Sequence, residues 1–170
     1  MILDFSRIKN SKNLLAFSGG VDSSALFFLL LNHKIDFDIA IVNYNTREQS
    51  KDEIAYALNL AKEYKKEIFI KDVKLENSSN FEKNARDIRY GFFEQIIKEN
   101  SYETLITAHQ LNDRLEWFLM QLSKGAGLVE LFGIREFEEK KDYKIFRPLL
   151  NVSKDELENY LKENKIKYFI

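Results

Sequence analysis

Short apolar runs alternate with amphipathic helical stretches along the whole of this 170-residue chain, and no other feature restricts the fold as much. Leu14 to Phe17, Ile39 to Val42, Ile68 to Val73, Thr104 to Ala108 and Tyr143 to Phe146 read as strands, being short, apolar and often β-branched. Helices are expected from about Ser23 to Asn32, Ser50 to Lys65, Phe81 to Glu99, Leu111 to Leu122 and Ser153 to Asn164. Ser50-x-x-Glu53 and Ser153-x-x-Glu156 are capping boxes, and Gly125 and Gly127 close the fourth helix. The stripes Ile54–Ala61 and Phe92–Ile97 read as core, while Leu115, Phe118, Leu119 and Leu122 form the apolar side of the fourth helix. Pro148 breaks the last strand, and Ile166 to Ile170 looks like the start of another.

Strands that recur at intervals of roughly 25–35 residues with helices between them imply a parallel sheet covered on both faces, an open doubly wound α/β fold. In such sheets ligands bind beyond the carboxyl ends of the strands. Ser18 to Ser23, Asn43 to Arg47 and Ala108 to Asp113 each follow a strand, so all three loops are expected on one edge.

The length suits a single domain, 1–170, with room for a substantial core. There is no cysteine, which removes disulfides, zinc–thiolate sites, iron–sulfur clusters and thiol chemistry. Twenty-six basic against 27 acidic residues leave no global field for nucleic acid, and the clusters at Lys62/Lys65/Lys66, Lys140/Lys141/Lys144 and Lys162/Lys165/Lys167 fit solvated faces. The longest apolar run, Ala25 to Leu31, is too short to span a bilayer, and Met1 to Asn13 has no signal layout, so a cytoplasmic protein is expected.

The first loop, Ser18-Gly19-Gly20-Val21-Asp22-Ser23-Ser24, sets two glycines, three hydroxyls and a carboxylate where a strand hands over to a helix. A helix N-terminus presents unpaired N–H groups and favours an anion. Neither the lysine-bearing G-x-x-x-x-G-K-[ST] loop nor the G-x-G-x-x-G turn is present. Asp22 is itself an anion, which leaves two readings: it caps the helix, or a Mg²⁺ ion joins it to the phosphate oxygens of a nucleotide. Asp113 and Glu116 lie three apart on one helix face and are candidate acid–base groups, although surface pairing with Arg114 or Arg89 also explains them. His109 directly follows a strand, either facing the site or serving as a structural hydrogen-bonding residue. Arg86 and Arg89, with Arg47 in the second loop, are phosphate-contact candidates for ATP and RNA alike.

Ser18-Gly19-Gly20-Val21-Asp22-Ser23 resembles the S-G-G-x-D-S loop of the N-type ATP pyrophosphatases. Four further blocks resemble segments of the tRNA(Ile)-lysidine synthetases. They are Val42 to Ser50 (V-[ND]-H-x-x-R-x-x-S), Ala85 to Tyr90 (A-R-x-x-R-Y), Ala108 to Glu116 with Lys124 to Leu128 (A-H-H-x-D-D-Q-x-E-T…R-G-[AS]-G-L), and Arg147 to Leu150 (R-P-L-L).

The resemblance implies an ATP-dependent ligase. It would adenylate the wobble cytidine of tRNA(Ile) bearing a CAU anticodon, join L-lysine there, and release AMP and pyrophosphate. Residues Ser18, Gly19, Gly20, Val21, Asp22 and Ser23 would then hold pyrophosphate, with Asp22, Asp113, Glu116 and His109 catalytic and Mg²⁺ at Asp22 and Asp113. The family likeness also admits a homodimer. Tyr44 and Gln110 stand where the family has histidines, Asn112 for an aspartate, Arg114 for glutamine and Trp117 for threonine; the missing carboxylate shifts the metal role to Asp22 and Asp113.

Two rivals remain at this level. Another tRNA-modifying enzyme with the same loop, such as a 2-thiolation enzyme, commonly uses cysteines. A non-catalytic ATP- or AMP-binding module would fit the departures and a chain that ends at Ile170, before the family's C-terminal RNA-binding domains.

Overall fold

The computed structural model describes residues 2–44, 50–73, 81–125, 127 and 133–169. After a 3₁₀ turn at Ser6–Ile8 come β1 (Asn13–Ala16), α1 (Val21–Asn32), β2 (Asp38–Asn43), α2 (Ser50–Glu63), β3 (Ile68–Asp72) and α3 (Phe81–Asn100). Then follow β4 (Thr104–Ile106), α4 (Leu111–Ser123), β5 (Phe137–Glu139), β6 (Lys144–Phe146) and α5 (Lys154–Glu163). The strands form one sheet of order β3-β2-β1-β4-β6-β5.

Side chains alternate across this sheet because successive strand residues point to opposite faces. Leu15, Ile39, Ile41, Ile106 and Phe146 pack on one face with α1, α2 and α5, around Phe27 and Leu30. Their neighbours Leu14, Ala40, Leu105 and Ile145 pack on the other face with Phe93, Ile96 and Ile97 of α3. The doubly wound architecture expected from the alternation is therefore present, and both predicted helix stripes contribute to the core.

Four local features differ from the sequence reading. The sheet is not wholly parallel: β5 pairs antiparallel with β6, Glu138 lying opposite Ile145. Helix α1 begins at Val21, two residues early, so that Asp22 sits inside its first turn. Residues Ile166 to Phe169 make only an isolated bridge, Phe169 to Gly20, in place of a strand. Finally, the apolar side of α4 is uncovered among the described residues, Leu115, Leu119 and Leu122 being more than half exposed. By contrast the Ser153–Glu156 capping box forms as read, with Ser153 N donating to Glu156 Oε2 at 3.0 Å.

Helices α1, α2, α3 and α5 are each followed by a left-handed residue that is not glycine: Lys34, Lys65, Ser101 and Lys165, with φ between 53° and 56°. A side chain in that region costs about 1–2 kcal/mol, partly offset by the greater chain entropy glycine loses on folding. Ser101→Gly is accordingly expected to raise the unfolding free energy by about 0.5–1 kcal/mol, measurable as a higher urea midpoint at unchanged slope.

Candidate active site

Strand order makes the crevice between β1 and β4 the point where the chain changes direction across the sheet, the place where open α/β sheets bind ligands. A cavity of about 240 Å³ opens at their carboxyl ends. Ala16, Val42, Phe93 and Ala108 give it apolar walls, while Ser18, Asp22, Ser23, Arg89, His109 and Asp113 give it a polar end. A second cavity of about 250 Å³ shares Ser18, Gly20, Val42 and Tyr44 with it and continues past Glu53 and Phe169.

The loop between β1 and α1 is held by its own hydroxyls. Ser18 N donates to Ser23 Oγ at 3.2 Å, the two serine oxygens lie 3.0 Å apart, and Ser24 Oγ donates to Gly19 O at 3.2 Å. Gly19 has φ +80°, which requires glycine, and Phe169 N donates to its carbonyl at 2.9 Å. Gly20 is the N-cap of α1, and no side chain caps that helix, so its first-turn N–H groups remain a site for an anion.

Asp22 is therefore not the cap. Its Oδ1 is buried and has no hydrogen-bond partner. Burial, reinforced by the charge of Asp113 and opposed by Lys154, raises its pKa above the usual carboxylate value. A buried, unpartnered carboxylate oxygen facing a like charge suits a cation between Asp22 and Asp113. Among the described residues no cluster of three or more acidic or histidine side chains could hold a metal alone, so phosphate oxygens would have to complete the shell.

Asp113 stands at the head of α4, where its Oδ2 accepts the Gln110 N–H at 2.8 Å. Gln110 Oε1 in turn accepts the Asn112 N–H at 2.7 Å, so the residue in the family's histidine position serves as a helix cap. Tyr44, at another such position, donates its hydroxyl to Ala85 O at 2.8 Å and ties the end of β2 to α3. His109 Nδ1 lies 2.9 Å from Thr107 Oγ1. Burial, then the charge of Arg147, push the imidazole down to about 4, so it is neutral near pH 7.

The predicted residues divide accordingly. Ser18, Gly20, Val21, Asp22, Ser23, Arg89, His109 and Asp113 line one cavity. Gly19 shapes its loop from behind. Glu116 is exposed one turn along α4 and does not line it, and Arg86 lies in an adjoining hollow with Glu138 and Arg147. Arg47 falls outside the described residues. Thr107 lines the cavity and Arg147 the adjoining hollow, and neither stands out in the sequence as a candidate. Arg147 is buried, bonded to Glu138 Oε2 at 2.8 Å and to Arg135 O at 3.0 Å, and the R-P-L-L segment signalled its presence but not its burial.

The sequence model of the PP-loop domain family matches residues 2–170. The chain belongs to the PP-loop family. Among similar proteins is the tRNA(Ile)-lysidine synthase of Campylobacter jejuni (strain RM1221), 56% identical over 162 residues, which are 95% of this chain and 50% of the relative. The proteins of the same name from Helicobacter hepaticus and Wolinella succinogenes are 52% and 48% identical, over 97% and 96% of this chain and 40% and 50% of their own lengths. The chain thus spans about half the length of the curated relatives it matches.

Two solved structures share the fold. The U34-tRNA thiolase NcsA from Methanococcus maripaludis with its 4Fe-4S cluster superposes with a TM-score of 0.81 at 23% identity, over 98% of this chain and 61% of that one. The NH3-dependent NAD synthetase from Campylobacter jejuni gives 0.59 at 18% identity, over 94% and 68%.

The two glycines of the PP-loop do different work. Gly19→Ala is expected to cost about 1–2 kcal/mol of stability through its positive φ, whereas at Gly20, where an added Cβ would meet nothing nearer than 3.6 Å, alanine should fold normally. Thermal unfolding of both variants checks this. His109 binds its proton less tightly folded than unfolded, so its contribution to stability is complete above pH 6.5 and is lost as pH falls toward about 4. His109→Gln should show a smaller drop in urea midpoint over that window than the wild type.

Proposed function

We propose that this PP-loop domain belongs to an ATP-dependent ligase that converts the wobble cytidine of tRNA(Ile) with a CAU anticodon to lysidine. The observation that carries the reading is identity of 48–56% over nearly the whole chain with proteins named tRNA(Ile)-lysidine synthase. The site chemistry supports it. An uncapped helix N-terminus and two facing carboxylates suit the phosphates of ATP with Mg²⁺, held by Asp22 and Asp113. When bound, the ion would neutralise charge on the phosphate oxygens.

In this reading residues 1–170 act as one catalytic unit. The apolar walls take the base of ATP, and the serines with the N-terminus of α1 hold the phosphates. The C2 oxygen of the cytidine displaces pyrophosphate from the α-phosphorus. The neutral ε-amine of L-lysine then attacks C2, AMP leaves, and the Asp113 carboxylate takes the amine proton. Glu116, at the rim, meets the incoming ammonium. His109, neutral and bonded to Thr107, contributes a hydrogen bond and no positive charge. Arg89, Arg86 and Arg47 contact phosphates of ATP or RNA. A tRNA substrate is met in the cytoplasm, which is where this reading puts the protein; no described helix is long and apolar enough to cross a membrane.

The test is conversion of α-labelled ATP to AMP by the protein, with and without lysine and with and without that tRNA. Formation that depends on both supports the ligase, and tight ATP binding without turnover under every condition overturns it in favour of a binding module. Asp22→Asn should lower turnover by at least about 100-fold while leaving thermal stability equal or higher. The sign follows from the raised pKa: the ionised carboxylate is disfavoured in the fold, so the neutral amide relieves a cost present above its titration. Asp113→Asn should likewise abolish product formation, and full activity in that variant would remove its assigned role.

A further inference from the structure

The PP-loop contains no lysine, and among the described residues Arg89 is the one cationic side chain that lines the first cavity. We infer that Lys154, the first residue of α5, binds the departing pyrophosphate beside Asp22. The inference rests on the proposed ATP cleavage and adds a phosphate-binding residue to it.

Three observations converge on this position. Helices α1 and α5 lie on the same face of the sheet, with Leu26 and Leu30 in one buried cluster with Leu157 and Leu161. They run in the same direction. Asn32, the last residue of α1, donates to Tyr160 Oη at 2.9 Å, while Asp22 in the first turn of α1 feels the charge of Lys154 in the first turn of α5. A backbone bond from Leu111 N to Val152 O at 3.0 Å brings the head of α4, which carries Asp113, to the same end.

The second observation is the residue type. A cation in the first turn of a helix opposes the macrodipole, and the neighbouring Asp155 and Glu156 follow the rule that Lys154 breaks. A residue that goes against its own helix in this way is expected where an interaction outside the helix requires it, here with the carboxylate of Asp22 and the site beside it. The third is its freedom. Lys154 is exposed and, among the described residues, makes no ion pair within 4 Å, whereas Lys66, Lys140 and Lys162 do. A long flexible ammonium next to an uncapped helix N-terminus and an unpartnered carboxylate can reach the outer phosphates as they depart.

The experiment titrates Mg²⁺–ATP, inorganic pyrophosphate with Mg²⁺, and AMP into the protein and into Lys154→Met, Lys154→Arg and, as a charge control on α3, Lys98→Met. Lys154→Met should weaken pyrophosphate binding by about tenfold or more while AMP affinity stays within about twofold, and Lys154→Arg should recover most of the loss. Lys98→Met should change neither. Unchanged pyrophosphate affinity in Lys154→Met overturns the inference. So does an equal loss of pyrophosphate and AMP affinity, which would mean that Lys154 only maintains the structure. If ATP binds and Lys154→Met behaves as wild type, Lys154 alone has been misassigned. If the wild type binds neither ATP nor AMP, the nucleotide reading itself fails and the inference fails with it.

Discussion

Parallel pairing of β1 with β2 on one side and β4 on the other saturates its backbone groups and leaves its chain a single way onward, over the carboxyl edge and into α1. Leu14 and Leu15 are fully buried on the two faces, so the strand cannot slip by one residue without exchanging its core contacts. The turn that follows must be tight. Gly19 makes it with a positive φ, Gly20 opens α1, and Asp22 is thereby carried into the first helical turn, away from the capping position. The isolation of its Oδ1 follows from the placement of one strand.

Electrostatically the site is left unbalanced. Asp113 and Glu158 both repel Asp22, and Lys154 offsets them only in part. Across the cavity, His109 is kept neutral by burial and by Arg147, whose own charge is absorbed by Glu138. Unrelieved charge of this kind costs stability and persists where a ligand resolves it. In the proposed reaction the resolving partners are a divalent ion and a phosphate chain, which meet the carboxylates and the helix N-terminus together.

Three residues that depart from the family motif have structural work in this chain. Gln110 caps α4 by accepting the backbone N–H of residue 112, and Tyr44 fastens β2 to α3. Arg114 reaches Asn151 Oδ1 at 2.9 Å and braces α4 against the segment preceding α5. These bonds hold the head of α4 in place with one carboxylate fewer in the motif.

Much of this could be read from the sequence because the relevant signals are local. Hydrophobic period distinguishes strand from helix, capping boxes mark helix starts, and a loop directly after a strand lies at the ligand edge; all depend on residues within a turn or two of each other. Those signals determined the doubly wound class and the edge at which a ligand is expected, and they singled out Ser18, Asp22, Arg89, His109 and Asp113, which line the cavity there. Tertiary structure alone decided the rest. The three-residue strand β5, Phe137-Glu138-Glu139, has no period of its own and exists because β6 offers it an edge and Arg147 holds Glu138. Glu116 falls outside the cavity and Lys154 falls beside Asp22 because helix packing, a long-range property, sets where each helix face points. The fold likewise removed the capping alternative for Asp22 and left its buried Oδ1 unpartnered, since neither solvent access nor the charge of a residue many positions away is written in the neighbouring sequence.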